Sequence, residues 1–479
     1  MINLSYEQRE EIGLKFVREQ LDPVSPYGEK YLRNEGFYPE AERGLLLAEF
    51  TNITLLKEAW EKEKAAVEAI RHAMSMLKDL SGSLKNAAGQ TLNEVELFEL
   101  TSFCLRLRAL IPLAASLASY EDLIDIRLTD PENMLKVLDP KGEGSSGFYV
   151  EDERTPRLSA ARQEKKQAER ALREKTGNRE LLLAKRQAAA AEEDKALSEI
   201  YEQMTRDMRP YLHELAANMA AVGHLDADLA KALLACRFHC QKPEMGGDTL
   251  YLKAALHPQI DAALKERGGH FIPIDIELPR GASVLTGANM GGKSVALKTV
   301  LLNTALALSG MFVFAEQAVV PFFDRIEIIN RDFSDTSKGL SSFGGEMLRL
   351  KAVLERLNED GLALIVMDEL ARGTNAREGA LIARGAIRYL SGKNAVTLLA
   401  THYDGAADAA KRHYQVKGLS RDHTAESLPA AQEKDALRQI ENAMDYGLIR
   451  VAPGTECPQD AVSICRLLGL PEEIIREEP

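Results

Sequence analysis

The chain of 479 residues has few cysteines, no long apolar run and no excess of positive charge. Its five cysteines follow no repeated spacing, which argues against a disulfide framework and favours a reducing compartment. No segment approaches the roughly 18 uninterrupted apolar residues of a membrane span, and the first residues carry acids where a signal peptide needs bases. The net charge of −13 argues against nonspecific binding of nucleic acid or membranes by the whole surface. We therefore expect a cytoplasmic protein without a membrane partner.

Changes in composition divide the chain into four predicted domains. Residues 1–150 mix Leu, Ala, Glu and Lys at helical spacing, which predicts an all-helical core domain. Within it, residues 134–150 are expected to form two short strands around a glycine-rich turn. Residues 151–240 return to a helical pattern and predict lever helices. Strands and glycine turns follow, so we predict an α/β domain over residues 241–420 and an extension packed on it over residues 421–479.

The segment from Arg154 to Arg186 is strongly basic, with eleven Lys or Arg residues against four Glu. Few apolar residues larger than Ala interrupt it, which is typical of a solvent-exposed helix. The turn signal Thr176-Gly177-Asn178 lies in its middle, so the pattern predicts a helical hairpin with arms of about 20 residues, near 30 Å long. Such a hairpin is either a lever or clamp that contacts a partner, or a charged hairpin that binds nothing.

A phosphate-binding loop is predicted between a short apolar strand and a helix. Residues 282–286 form the strand-like run, and residues 295–297 begin the helical pattern. Between them lies Gly287-Ala288-Asn289-Met290-Gly291-Gly292-Lys293-Ser294. This is the G-x-x-x-x-G-K-S pattern in the context that it requires. Its glycines let backbone N–H groups surround phosphates, while Lys293 adds positive charge and Ser294 binds Mg²⁺, so the sequence predicts an ATP site with Mg²⁺.

Two acids and a histidine are predicted at the same edge of the sheet. Residues 362–367 are an apolar run suited to a buried parallel strand, and Asp368 and Glu369 follow at its carboxyl end, where such sheets hold ligands. Asp368 would bind Mg²⁺, and Glu369 would orient and deprotonate the attacking water. A second apolar run, residues 395–400, leads to His402, which is placed to sense the γ-phosphate.

At these residues the chain resembles the MutS family, the ABC-like ATPases of DNA mismatch repair and their relatives. Four motifs carry the resemblance and occur in the family's order. They are Thr286-Gly-Ala-Asn-Met-Gly-Gly-Lys-Ser294, Ser341-Ser-Phe-Gly-Gly-Glu-Met347, Met367-Asp-Glu-Leu-Ala-Arg-Gly-Thr374 and Ala400-Thr-His-Tyr403. The resemblance implies an α/β P-loop ATPase domain of ABC-like fold over residues 241–420, preceded by an all-α core and lever region with a short helical hairpin.

The resemblance also implies roles for individual residues. The ATP site would comprise Phe271, stacked on adenine, and the loop residues Gly287, Asn289, Met290, Gly291, Gly292, Lys293, Ser294 and Val295. Ser341 would complete the site of a partner subunit, which implies a homodimer with composite ATP sites. Lys293, Glu369 and His402 would carry hydrolysis, and Ser294 and Asp368 would bind Mg²⁺.

The resemblance leaves the partner open. No Phe-x-Glu pair of the kind that reads mismatches occurs before residue 240, and the region is too short for the full set of DNA-reading domains. The chain therefore resembles a short member without the mismatch-reading domain and without the Smr tail. A DNA-acting motor would bind DNA through residues 154–186, in mismatch-repair-like processing or DNA-structure binding. A protein-remodelling ATPase, such as the MutS-like subunit of a reactivating factor for cobalamin-dependent aminomutases, would pull on a protein client. A scaffold without activity is disfavoured by the intact site.

Overall fold

The computed structural model describes residues 2, 4–142, 144, 150–287, 292–330, 342–357, 361–419, 444–453, 455, 456, 465, 471 and 475. The chain forms two compact units. The first unit comprises residues 1–22, 35–54 and 231–479, and the second comprises residues 23–34 and 55–230. The predicted combination of an α/β region with a helical region before it is confirmed. The ABC-like fold and the four domain boundaries remain predictions.

Helices make up most of the described chain. In chain order they are α1 (Tyr6–Glu11), α2 (Leu14–Glu19), α3 (Pro26–Asn34), α4 (Arg43–Lys62), α5 (Lys64–Ser75), α6 (Ser81–Gly89), α7 (Glu94–Ala115), α8 (Glu132–Leu138), α9 (Pro156–Arg173), α10 (Arg179–Met208), α11 (Leu212–Phe238), α12 (Pro258–Glu266), α13 (Lys293–Leu308), α14 (Ser342–Arg356) and α15 (Ala376–Leu390). Short 3₁₀ helices cover Glu40–Glu42, Tyr120–Asp122, Asp152–Arg154, Arg209–Tyr211 and Ala406–Ala409. Within the described ranges, every helix is too short or too polar to span a bilayer.

Helix α7 illustrates how the sequence builds the helical second unit. Asn93 caps it by accepting from the backbone N–H of Glu96, and the Glu96 carboxylate accepts from the backbone N–H of Asn93 in return. Four of its side chains at steps of three or four residues are all buried, namely Leu97, Leu100, Cys104 and Leu107. Burial raises the pKa of the Cys104 thiol to about 12, so this cysteine is part of the core rather than a reactive group.

One expectation in the second unit is wrong. Residues 134–138, predicted to belong to a short strand, form most of helix α8. Its buried side chains are Met134, Leu135 and Leu138, and this helical spacing gives α8 a single packed face. The rest of the predicted strand pair lies partly outside the described residues, at positions 143 and 145–149.

The predicted hairpin is confirmed as the helix pair α9 and α10, which pack against each other. Thr155 begins α9 by accepting from the backbone N–H of Leu158, and Asn178 begins α10 by accepting from two N–H groups of the first turn. Between the helices, Lys175 and Gly177 adopt left-handed conformations with φ of 52° and 101°. Small buried side chains allow the arms to approach, among them Ala161, Ala168, Ala189 and Ala196.

All described strands lie in the first unit. In chain order they are β1 (Glu244–Met245), β2 (Leu250–Ala255), β3 (Ile274–Leu278), β4 (Gly281–Thr286), β5 (Gln317–Val320), β6 (Arg325–Ile329), β7 (Ala363–Asp368), β8 (Ala395–Thr401), β9 (Arg412–Leu419) and β10 (Met444–Val451). The smaller sheet has the order β1-β5-β2-β3, and the larger has the order β10-β9-β4-β8-β7-β6. In the larger sheet, only the pair of β9 and β10 is antiparallel.

The register of the larger sheet brings three strand ends to one edge. Thr286 of β4 pairs with Thr401 of β8, and Asp368 of β7 pairs with Ala400 of β8. Strands β4 and β8 are buried along their whole length, as the centre of a parallel sheet covered on both faces requires. The segments that follow β4, β7 and β8 therefore start side by side.

Helices α1 and α2 pack on the rest of the first unit, and the turn between them lies at Gly13. His257 donates from Nε2 to the carbonyl oxygen of Ile12 at 3.0 Å. Both carboxylate oxygens of Glu11 accept from Nδ2 of Asn330 at 2.8 Å, and one of them lies 3.6 Å from Nζ of Lys298. Because Lys298 belongs to α13, this contact links the start of the chain to the helix that follows β4.

Candidate functional site

The loop between β4 and α13 brings a buried lysine to the amino-terminal end of a helix. Gly292 caps α13 with φ of 89°, a left-handed conformation that favours glycine. A Cβ atom on Gly292 would also lie 2.8 Å from the ring of Tyr446, so a larger residue has no room there. Lys293 is 5% exposed, and its Nζ donates to the carbonyl oxygen of Gly287 at 2.7 Å. The helix end and the ammonium group together provide positive potential for phosphate.

Two oxygen-bearing side chains, Ser294 of α13 and Asp368 of β7, lie together beside Lys293. Oγ of Ser294 donates to Oδ2 of Asp368 at 2.6 Å. Oδ1 of Asp368 is buried and has no hydrogen-bond partner among the described residues. Burial raises the pKa of Asp368, the Ser294 hydrogen bond opposes that rise, and the neighbouring Glu369 carboxylate adds to it. A divalent cation would satisfy the unpartnered oxygen and offset the burial of its charge, so the two residues fit Mg²⁺.

The carboxylate of Glu369 lies among three basic side chains. Its Oε1 is 3.8 Å from Nζ of Lys293 and 3.8 Å from Nδ1 of His402. Its Oε2 accepts from Nη1 of Arg372 at 2.5 Å. The Glu369 side chain is 13% exposed and that of His402 is 37% exposed, so the histidine is the more accessible of the two. Nδ1 of His402, the atom that faces Glu369, is buried and makes no hydrogen bond within the described part of the chain.

The backbone that carries Glu369 is held in an unusual conformation. Glu369 and Ala371 have backbone φ angles of 53° and 65°, in a region that residues other than glycine rarely adopt. The N–H of Glu369 donates to the carbonyl oxygen of Ala400 at 3.0 Å, which continues the pairing of β7 with β8 by one residue. Two side chains hydrogen-bond the backbone of Ala371. Oε1 of Glu346 accepts from its N–H at 2.9 Å, and Oη of Tyr403 donates to its carbonyl oxygen at 3.1 Å.

A buried histidine holds the strand that leads into the loop. Nε2 of His413 lies 2.8 Å from Oγ1 of Thr286, and its Nδ1 lies 3.1 Å from the carbonyl oxygen of Ala452. Because a carbonyl oxygen only accepts, Nδ1 carries the proton and Nε2 accepts from the Thr286 hydroxyl. Burial lowers the pKa of His413, which agrees with a neutral ring at this position.

The structure brings together five of the predicted site residues, Lys293, Ser294, Asp368, Glu369 and His402. Val295 lies in the first turn of α13, and Phe271 is half-buried just before β3. The predicted residues Asn289, Met290, Gly291 and Ser341 lie outside the described residues.

Sequence reasoning assigned no role to three residues that contact the site. Glu346, Tyr403 and Tyr446 bond or pack against its loops. The first two stand within the motifs given above, so their position in the sequence was a usable signal. Tyr446 lies in a strand that no motif marked.

Comparisons with known proteins point to the same region of the chain. The family model described as MutS domain V matches residues 283–477. A DNA mismatch repair protein MutS from Natronomonas pharaonis is 31% identical over 258 residues, which are 53% of this chain and 28% of that protein. An endonuclease MutS2 from Lactococcus lactis subsp. cremoris is 30% identical over 290 residues, 60% of this chain and 34% of that protein. A second MutS, from Chloroflexus aurantiacus, is 30% identical over 343 residues, 69% of this chain and 33% of that protein. This chain therefore spans about a third of the length of these curated relatives.

Proposed function

We propose a function from the premise that this chain belongs to the MutS family, to which residues 283–477 and its relatives assign it. The proposal is an Mg²⁺-dependent ATPase that works as a homodimer with composite sites. Binding and hydrolysis of ATP would close the dimer and move the helical levers of the second unit. The observation that carries it is the meeting of Lys293, Ser294, Asp368, Glu369 and His402 at the carboxyl edge of one parallel sheet.

We propose a task in hydrolysis for each of these side chains. Lys293 would bind the terminal phosphates at the start of α13, and Ser294 and Asp368 would hold Mg²⁺, which would supply positive charge against the phosphates. Oε1 of Glu369, facing Lys293 and His402, accepts the proton of the attacking water. His402, whose side chain is partly exposed beside Glu369, would donate to the γ-phosphate as negative charge develops there. Arg372 occupies Oε2, so the other oxygen is the one left for water.

Two variants separate binding from hydrolysis. Lys293→Ala removes the positive charge that binds the phosphates and should weaken ATP binding by at least about tenfold. Glu369→Gln keeps the shape of the side chain but removes the base, so we expect ATP binding to persist while turnover falls about 100-fold or more. Steady-state phosphate release and binding of a fluorescent ATP analogue measure the two effects. A Glu369→Gln protein that turns over ATP at the parental rate would refute the role of Glu369.

The proposed polymer partner is duplex DNA, bound by the tip of the hairpin. Arg173, Lys175 and Arg179 surround the turn between α9 and α10, and none of them has a carboxylate partner among the described residues. Unpaired basic groups of this kind bind phosphates and release counterions, so affinity should fall steeply with salt. The similarity to DNA mismatch repair proteins supports this choice of partner.

A protein client is the second candidate, and one observation favours it. Most basic side chains along the shaft of the hairpin are neutralised by acids of the same unit, including acids of α10 beyond residue 186. The paired residues are Arg157, Arg162, Lys165, Lys166, Arg170 and Arg186, and their partners are Asp152, Glu169, Glu174, Glu192, Glu193 and Glu199. The shaft therefore offers DNA less positive charge than the sequence alone indicates.

One experiment separates the two partners. ATP hydrolysis is measured at low salt with and without duplex, mismatched and branched DNA, with Glu369→Gln as the blank. Reversal of the tip charges at Arg173, Lys175 and Arg179 to Glu should abolish DNA binding and stimulation. Reversal of the exposed bases Arg33, Lys85 and Lys195 changes the net charge equally and is the matched control. If no DNA changes the rate of ATP hydrolysis and none binds in the same buffer, the partner is a protein client and not DNA.

A further inference from the structure

Ala371 lies two residues after Glu369, and side chains from two other elements bond both of its backbone polar groups. Glu346 of α14 accepts from its N–H at 2.9 Å, and Tyr403, which follows β8, donates to its carbonyl oxygen at 3.1 Å. The same carbonyl oxygen also accepts from the N–H of Thr374 at 3.4 Å. The turn that carries Glu369 is therefore fixed from outside as well as by its own chain.

The position of Tyr403 is itself tightly determined. Its ring is buried in the apolar core between the larger sheet and helices α14 and α15. A Cβ atom on Gly379 of α15 would lie 2.3 Å from Oη of Tyr403, so α15 makes room for this hydroxyl. Burial raises the pKa of Tyr403, and the carboxylates of Glu346 and Glu369 add to the rise. The phenol therefore stays protonated and able to donate near neutral pH.

The geometry points to Glu346 and Tyr403 as positioning residues that set the catalytic carboxylate of Glu369 by clamping Ala371 from both sides. This inference rests on the proposed hydrolytic function of Glu369 and names residues to which that function assigned no role. Both act through the backbone of the turn.

Backbone conformation explains why the turn needs a clamp. Glu369 and Ala371 both have positive φ, a backbone conformation that is strained for any residue other than glycine. Without outside bonds the turn would relax toward ordinary conformations and carry the Glu369 carboxylate away from Lys293 and His402. A misplaced base lowers the rate of proton transfer while phosphate binding at the loop after β4 is kept.

The test compares four single variants in the full chain. Tyr403→Phe removes only the hydroxyl, and Glu346→Ala removes the acceptor for the N–H of Ala371. Each should lower kcat for ATP about tenfold and leave the Kd for a nucleotide analogue within about twofold, as expected for the loss of one buried hydrogen bond that acts on the base. Glu346→Gln keeps an acceptor oxygen and should restore most of the rate.

The fourth variant is a matched control. Tyr414 is also buried, and its Oη bonds the backbone of Glu277 as donor to the carbonyl oxygen and acceptor from the N–H, at 3.0 and 2.8 Å. Tyr414→Phe should lower thermal stability by an amount similar to Tyr403→Phe and leave kcat within about twofold of the parent. The control therefore measures what loss of a buried phenol does to the fold alone.

A double variant makes the assignment specific. In single-turnover measurements, Tyr403→Phe added to Glu369→Gln should cause no further loss, because the base through which it acts is already absent. A parental kcat for Tyr403→Phe, an additive loss in the double variant, or equal losses in Glu346→Gln and Glu346→Ala would each overturn the inference while Glu369 keeps its role. A parent that does not hydrolyse ATP would overturn the proposed function and this inference together.

Discussion

Burial keeps His257 neutral, and this histidine bonds the turn between α1 and α2 to the rest of the first unit. His257 is almost fully buried, and its pKa is lowered to about 4 by burial, with the nearby Lys298 acting in the same direction. Nδ1 accepts from the N–H of Ile260 at 3.4 Å and Nε2 donates to Ile12, a pattern that only the neutral ring allows. Protonation would therefore break the cap of α12.

A pH-dependent stability follows from the lowered pKa of His257. In the unfolded chain His257 binds a proton below its ordinary pKa of 6.5, whereas in the folded chain it does so only below about pH 4. Stability should therefore be lost as the pH falls from 6.5 to 4, by at most about 3 kcal/mol from this residue. His257→Gln removes the titrating group, so the variant should be less stable at pH 7 but show a shallower dependence on pH across this window.

Urea unfolding at half-unit steps of pH measures the slope. The exposed His270 provides the control, and His270→Gln should keep the parental slope. If His257→Gln retains the full slope between pH 6.5 and 4, other groups cause it and the assignment to His257 is wrong.

At the residue scale, the sequence predicts the side chains proposed to act in hydrolysis better than the side chains that position them. Lys293, Ser294, Asp368 and Glu369 follow from strand ends and one loop pattern, because local order in the chain places them at one sheet edge. The pairing of Glu346 with Ala371 depends on how α14 packs. No local pattern encodes that packing.

At the element scale, the glycine between α1 and α2 is constrained on two counts. Gly13 has φ of 80°, and a Cβ atom there would lie 2.4 Å from Cε1 of His257. Gly13→Ala should therefore cost about 2–4 kcal/mol, part from backbone strain and part from displacement of the buried ring. Thermal unfolding compares it with Gly385→Ala in the middle of α15, where a Cβ atom meets open space. Gly385→Ala should instead stabilise by about 1 kcal/mol.

Opposite signs for the two glycine variants would support the docking of α1 and α2 at this turn. A Gly13→Ala protein as stable as the parent would contradict it, because neither the positive φ nor the contact with His257 would then exist in solution.

Elements with a strong local signal were predicted, and elements fixed by distant contacts were not. The turn at Thr176-Gly177-Asn178 and its helical flanks predicted α9 and α10, and apolar runs predicted β7 and β8. The strand expected at residues 134–138 failed because a short apolar run fits a strand or a buried helix equally well. The packing of α1 rests on bonds such as Glu11 to Asn330, 319 positions apart, which no window of sequence contains.

At the scale of the whole molecule, the decisive question is whether one chain completes the site of another. The described residues bring Lys293, Ser294, both acids and His402 together within one chain, whereas Ser341 lies outside them. The MutS resemblance assigns Ser341 to the partner's nucleotide. If that is correct, Lys293 and Ser341 of the same chain serve different sites.

Heterodimers with two distinguishable tags test the composite site. One chain carries Lys293→Ala and the other carries Ser341→Ala, so one of the two composite sites has an intact Lys293 from one chain and an intact Ser341 from the other. This heterodimer should hydrolyse ATP at about half the parental rate, although both parent homodimers are defective. The reciprocal heterodimer pairs an unchanged chain with a chain that carries both substitutions, and every composite site in it lacks one group. It should be nearly inactive, whereas sites contained within single chains would reverse the two results.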